Sequence, residues 1–424
     1  MRPRLARTLK ALGPGVLFAG TAVGVSHLVQ ATRAGASGGL ALAGVIVLAH
    51  VMKYPAFRFG PQYAAATGTS MLEGYRRRGR WALGRYAALT VGTMFTVQAA
   101  VTFVTAALLI AFFDLGLSPV TMSALLLALS YGILRVGRFP WLDAFIKVAV
   151  GALTVATLIA TALALPGALE TAWVPSPALV AGAGALSLAA LVGWMPSAID
   201  VSIWQSLWVL AKAEAEGSLP TVRASLLDFH VGYLTTALLA RCFLVLGASV
   251  FAGGGVELAA SAPAFAAQLV DLYARQLGAF SRPLIAAAAF LAMFSTTLTV
   301  ADGFPRALTV LARRFRDPEH PAGARPSQAA PRAPRYWTIA MLLGTGTLAL
   351  LAFAGGSLRQ LVDLATTLSF LTAPALAALN HRAMTGPEVP RGATPGPALR
   401  AFSLAGIALQ ALFAVAYLAI RFGG

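Results

Sequence analysis

LVGWMPSAIDVSIWQS (Leu191–Ser206) is the stretch on which the fold turns. It sits in an apolar run, 178–210, too long for a single bilayer crossing of about 20 residues. Proline removes a backbone donor and clashes with the preceding helical turn. Trp194-Met195-Pro196-Ser197 therefore reads as a break between two half-helices. A second stretch repeats the pattern. GPGVLFAGTAVGVSHLVQATRAGA (Gly13–Ala36) is apolar, turns small and polar at Gly24-Val25-Ser26-His27, and then reads as helix again. Interrupted spans one and six, five spans apart, predict an inverted five-plus-five repeat. In such a repeat, unwound backbone and half-helix ends form a substrate site near the membrane midplane.

The remaining sequence fits a membrane setting. Of 424 residues, 58% are hydrophobic and 11% charged, against about 25% charged in soluble domains. We read eleven spans: 13–34, 39–58, 85–113, 117–135, 141–166, 178–210, 228–252, 283–305, 336–356, 359–380 and 400–421. The chain 1–424 is then one all-α transporter domain, with repeat one at about 13–166, repeat two at about 178–380 and an extra helix at about 400–421. The stretch 256–280 carries Glu257, Asp271 and Arg275 and is placed outside the bilayer core. Segment 313–335, rich in Pro, Ala and Arg, reads as a disordered cytoplasmic loop, and 384–399 reads similarly. The net charge of +17 follows from topology rather than nucleic acid. With the N-terminus inside, inner segments hold 23 Lys/Arg and outer segments 4. The positive-inside bias then places the N-terminus in the cytoplasm and the C-terminus outside, in a bacterial cytoplasmic membrane. The basic loops, Arg76–Arg80 above all, face anionic lipid. One cysteine, Cys242, excludes disulfides and cysteine metal clusters.

The Gly-Pro-Gly at 13–15, its spacing to Ala34-Gly35-Ala36, the Met195-Pro196 pair and FSTTLTVADGFPR (Phe294–Arg306) resemble the Nramp family of divalent-metal transporters over essentially the whole chain. The resemblance implies a LeuT-type fold and proton-coupled metal transport. It also exposes a departure. The family's metal motif falls on Gly24, Val25, Ser26 and His27, so its metal-binding Asp is Gly24 and its Asn is His27. Met195 is kept, but the His-Asn after the proline is Ser197-Ala198, the later histidine aligns near Ser202, and the span-ten glutamine near Leu371 or Thr372.

A dication in a low-dielectric site needs carboxylate or strong carbonyl ligands. His27 and Met195 alone form a poor transition-metal set, so no metal site is assigned. Asp200, five residues past Met195, either approaches the site or caps the second half-helix. An anion fits the remaining groups better: half-helix N-termini offer free N–H groups, and Ser26, His27 and Ser197 add donors. Bicarbonate is a reasonable size match. The expected substrate residues are Gly24, Val25, Ser26, His27, Met195, Ser197, Asp200 and Thr372. Gln98, Asp228, His230 and Arg241 are candidates for a proton or coupling pathway. Bland readings stand beside these: a satisfied structural His27, a core-filling Met195, an Asp143–Lys147 helical pair, a structural Asp302, and Thr296, Thr297 and Thr299 bonding between helices or offering oxygens to a coupling cation.

The expected function is secondary transport of a small ion, a small anion such as bicarbonate ahead of manganese or iron. The alternatives are a proton-coupled divalent-metal transporter and a non-transporting receptor or scaffold. No P-loop, HExxH or catalytic triad pattern is present, so an enzyme is not expected, nor is any cofactor. The expected partners are the ion and the bilayer, with a monomer plausible.

Overall fold

The computed structural model describes residues 13–136, 140–174, 176–177, 182–251, 259, 261–316, 333–353 and 358–422. The regular structure among them is helical throughout. The first apolar run splits into α1 (Pro14–Ala22), a π-helical turn (Ser26–Ala31) and α2 (Thr32–Gly38). A 3-10 turn (Gly39–Leu42) leads into α3 (Ala43–Thr67). Then come a short α4 (Met71–Arg77), α5 (Arg80–Phe113), α6 (Pro119–Val136) and α7 (Pro140–Leu169). The sixth run splits into α8 (Gly182–Trp194) and α9 (Asp200–Glu216). The chain ends with α10 (Val222–Phe251), α11 (Ala262–Leu277), α12 (Arg282–Arg316), α13 (Pro334–Phe353), α14 (Leu358–Met384) and α15 (Pro397–Phe422). Among the described residues nine helical stretches are long and apolar enough to cross a membrane, and the protein is an integral membrane protein. The two broken runs yield shorter pieces, as the prolines and glycines in them require.

Both breaks are present. The first is shorter than expected. Helix α1 stops at Ala22, Val23 leaves helical geometry, and Val25 is already helical, so Ser26 and His27 belong to the next helix rather than to unwound chain. Gly24 reconnects quickly because its carbonyl accepts from the amides of His27 (3.1 Å) and Leu28 (2.9 Å). In the sixth run, residues 195–199 are non-helical and the Met195–Pro196 bond is cis.

Helix α10 cradles the whole broken first run, packing against α1, the π turn and α2. The approach is backbone to backbone. A Cβ on Gly15 would lie 2.0 Å from the Asp228 carbonyl oxygen, and one on Gly35 2.0 Å from that of Leu244. Small residues let helices in a membrane come this close. Half-helix α8 packs on α14, half-helix α9 on α3, and α12 on α5. The stretch 256–280 holds the amphipathic α11, which buries Phe265, Leu269, Leu272 and Tyr273 against the bundle.

Two sequence expectations are corrected here. Helix α12 runs eleven residues past its expected end at 305, to Arg316, so the expected loop begins later; its centre, 317–332, lies outside the described residues. Segment 384–399 is folded back on the bundle. Val389 and Ala393 are buried, Gln62 donates to the Ala393 carbonyl at 2.8 Å, and Glu388 meets Arg78 and Tyr63. Its prolines shape turns that these contacts hold. The side chains of Asp143 and Lys147, and the N-terminal tail, lie outside the described residues.

Asp228 anchors the start of α1 from α10: its carboxylate accepts from the amides of Gly13 (3.0 Å) and Gly15 (2.7 Å). These amides have no partner within the helix. Asp228→Ala is expected to cost about 1–3 kcal/mol, read as a lower melting temperature of the detergent-solubilised protein. Asp228→Asn, which keeps an acceptor, is expected to recover part of the loss.

Candidate functional site

The two breaks meet around a small cavity of about 30 Å³, lined among others by Val25, Ser26, Ser197, Asp200, Trp204 and Thr296. That is room for one or two waters. Among the described residues the only charged one lining it is Asp200, the first residue of α9, 4% exposed. A carboxylate in the first turn complements the positive end of the α9 dipole. Thr90 of α5 donates to Asp200 Oδ1 at 3.1 Å. Trp204, one turn further along α9, is 2% exposed, and its indole N–H lies toward the buried Tyr86 hydroxyl without forming a well-aligned hydrogen bond.

Gly24 lies against α12. A Cβ there would meet Thr296 Oγ1 at 3.0 Å and Cγ2 at 3.1 Å. Thr296 is itself tied down, donating to the carbonyls of Gly20 and Ala292, both at 3.1 Å. The space that a side chain at 24 would need is thus taken by a threonine that also pins the end of α1.

Ser26 and His27 follow the first break. His27 is fully buried; its Nε2 donates to the Thr236 carbonyl at 3.0 Å, and Nδ1 lies 2.7 Å from Ser26 Oγ. A carbonyl only accepts, so Nε2 carries the hydrogen. Ser26 Oγ also lies 2.7 Å from the Ala22 carbonyl. Its single proton serves either the imidazole or the carbonyl freed by the break. Both ring nitrogens of His27 are therefore engaged with protein, and the ring is directed to α10 rather than to the cavity.

The other sequence candidates scatter. Met195 is fully buried and does not line the cavity, nor does Thr372, whose hydroxyl donates to Ser369 at 3.2 Å. Gln98 is buried between α5 and α12, bonding Thr102 at 2.9 Å. Asp228, His230 and Arg241 do not form one network: Asp228 caps α1, His230 pairs with Tyr54 at 2.7 Å, and Arg241 is exposed. Asp228 and His230 share a helix but not a face, which a spacing of two residues does not allow, and Arg241 lies about three turns beyond His230.

Sequence reasoning missed several residues that the fold brings to the breaks. Lys53 of α3 is fully buried and donates to the carbonyls of Val192 (2.5 Å) and Gly193 (2.8 Å). Ser369 of α14 accepts from Trp194 Nε1 at 2.7 Å. A lysine inside an apolar span was the available signal for the first; nothing marked the second. On one side of the bundle a larger cavity, about 220 Å³, is lined by Gln30, Arg33, Ser37, Ser187 and Arg359. Beside it, Arg33 of α2 bonds Asp363 of α14 at 2.8 and 3.3 Å. The bundle end holding α4 is tied by Glu73, which meets Arg76, Arg77 and Arg314, and by Asp302, which meets Arg306 and Tyr336.

No protein-family profile matches the chain. Its backbone resembles solved transporters. A manganese transporter mutant from Eremococcus coleocola aligns over 100% of this chain and 89% of its own, with a TM-score of 0.65 and 15% identity. The same transporter, in complex with an aromatic bis-isothiourea substituted compound, gives 0.66 at 15% identity over 100% and 90%. MhsT in complex with L-phenylalanine gives 0.60 at 16% identity, over 99% of both chains. The fold is thus the Nramp and LeuT type that Gly13–Ala36 and Leu191–Ser206 imply. In sequence the chain is 35% identical over 377 residues to the uncharacterized protein PM0681 of Pasteurella multocida (strain Pm70), across 87% of this chain and 84% of the relative, and it belongs to the same family as that protein.

Proposed function

We propose that the protein is a secondary transporter that carries a small inorganic anion, with bicarbonate the first candidate, together with a proton on Asp200. In this reading eleven spans form the inverted five-plus-five repeat plus one helix, the N-terminus is cytoplasmic, and the membrane is a bacterial cytoplasmic membrane. The observation that carries it is the lining of the cavity between the breaks, where among the described residues a single carboxylate, Asp200, stands with the Ser197 hydroxyl. A hydroxyl can donate to an anion. An anion cannot sit beside an ionised Asp200 at low dielectric without large repulsion. Protonating Asp200 removes that repulsion and turns it into a donor, so the anion and the proton load together.

Support against manganese comes from the ligand count. Among the described residues one carboxylate lines the cavity, and the position that matches the family's metal-binding Asp is Gly24, crowded by Thr296. The solved structures named above as manganese transporters support transport as such. A receptor or scaffold is disfavoured because broken helices are costly in a membrane unless they line a cavity. A second reading rests on one observation: Asp200, the sole charge lining the cavity among the described residues, instead holds a small cation.

Proteoliposomes separate the readings. Labelled bicarbonate uptake, measured at alkaline pH, is expected to accelerate under an inward proton gradient, while a manganese-quenched dye stays bright. Asp200→Asn is expected to keep anion uptake and lose the acceleration. Manganese uptake abolished by Asp200→Asn would establish the cation reading instead. Ser197→Ala removes a hydroxyl from the lining and is expected to raise the half-saturation concentration for bicarbonate by about one decade, the equivalent of roughly 1.4 kcal/mol.

Restoring a carboxylate tests the geometry of Gly24. Gly24→Asp alone is expected to lower the melting temperature, because its Cβ meets Thr296. Combined with Thr296→Ala, the loss is expected to shrink, giving a coupling of about 0.5–3 kcal/mol in a double-mutant cycle. Additive losses would show that Gly24 and Thr296 do not compete for that space.

A further inference from the structure

Lys53 has no role in the reading above, yet it is the most demanding side chain in the bundle. It is fully buried inside α3. Among the described residues no carboxylate pairs with it; its amine goes instead to the carbonyls of Val192 and Gly193, at 2.5 and 2.8 Å. Those carbonyls belong to the last turn of α8, which stops at Trp194. The last carbonyls of a helix lack partners within it, and the helix dipole places its negative end there. In lipid no water can compensate them. Two converging carbonyls at a negative helix end are a cation-binding arrangement, and here the cation arrives on a side chain. Position is fixed from the far side as well: a Cβ on Gly193 would lie 2.0 Å from the Thr366 carbonyl of α14, so the end of α8 has no room to shift.

We propose that Lys53 is a tethered cation that occupies an alkali-cation position at the end of α8, so that the break in the sixth span is held without any free sodium or potassium. The inference concerns the resident charge at the break, and it stands whichever ion the cavity carries. It differs from a plain hydrogen-bonding role in one respect: the position left by removing the amine should take a free monovalent cation.

The test is thermal unfolding of purified protein in detergent, in chloride salts of choline, sodium, potassium and ammonium at equal ionic strength. The wild-type protein is expected to melt at the same temperature in all four. Lys53→Ala is expected to melt lower in choline and to regain about 2–4 °C in ammonium or in one of the alkali salts, by occupancy of the vacated position. Lys53→Arg, which keeps a tethered charge, is expected to stay insensitive to the salt. Where Lys53→Ala does not yield folded protein, Lys53→Gln is read in the same way, because it loses the charge and keeps a donor. A wild-type protein stabilised by sodium or potassium over choline overturns the proposal. So does a neutral variant that no small cation restores.

Discussion

Backbone polar groups released where a helix breaks inside a membrane must find partners within the protein, and the rest of this structure is arranged around that constraint. Two breaks and the entry into α1 create five helix ends, and side chains stand at four of them. Each of these four is met from a different helix or by a local side chain. Asp228 of α10 takes the amides of Gly13 and Gly15. Ser26 reaches back to the Ala22 carbonyl. Lys53 of α3 holds the carbonyls of Val192 and Gly193. Asp200 sits in the first turn of α9. The signs are consistent: carboxylates stand at helix starts and the amine at a helix end, each complementing the local dipole.

This accounting explains why ionisable residues deep in the bundle need not mark an ion path. An intramembrane charge is a functional candidate by default, but a broken span also creates demand for charge. Asp228 and Lys53 answer that demand and do not line the cavity. Asp200 does both. It complements the α9 dipole and faces the space between the breaks, where the neutral hydroxyl of Thr90 donates to it. That combination separates Asp200 from the other charges in the bundle.

Local features of the sequence carried the architecture. Pro196 and Gly24 are punctuation that acts on its own neighbours, so both breaks were legible within a residue or two. Partners contributed by distant spans were not. Lys53 finds its carbonyls 139 and 140 residues away, and Ser369 meets Trp194 across 175; no periodicity records such a pairing. The same reason defeated the candidates carried by spacing along α10, where Asp228 and His230 face different neighbours. Segment 384–399 looked like solvated linker because prolines and glycines dominate it, whereas the burial of Val389 and Ala393 and the Gln62 bond define its path. Composition describes what a segment can do alone, and this one is held by others.

The last step concerns Gly24 and Thr296 together. Thr296 stands 3.0 Å from where a Cβ on Gly24 would lie and donates its hydroxyl to the Gly20 and Ala292 carbonyls. Gly24 and Thr296 act as one packing unit at the end of α1. Among the described residues the cavity keeps one carboxylate, Asp200, and the Ser197 hydroxyl; in the proposed anion reading that carboxylate has to accept a proton before the anion can enter, because two like charges at low dielectric repel strongly.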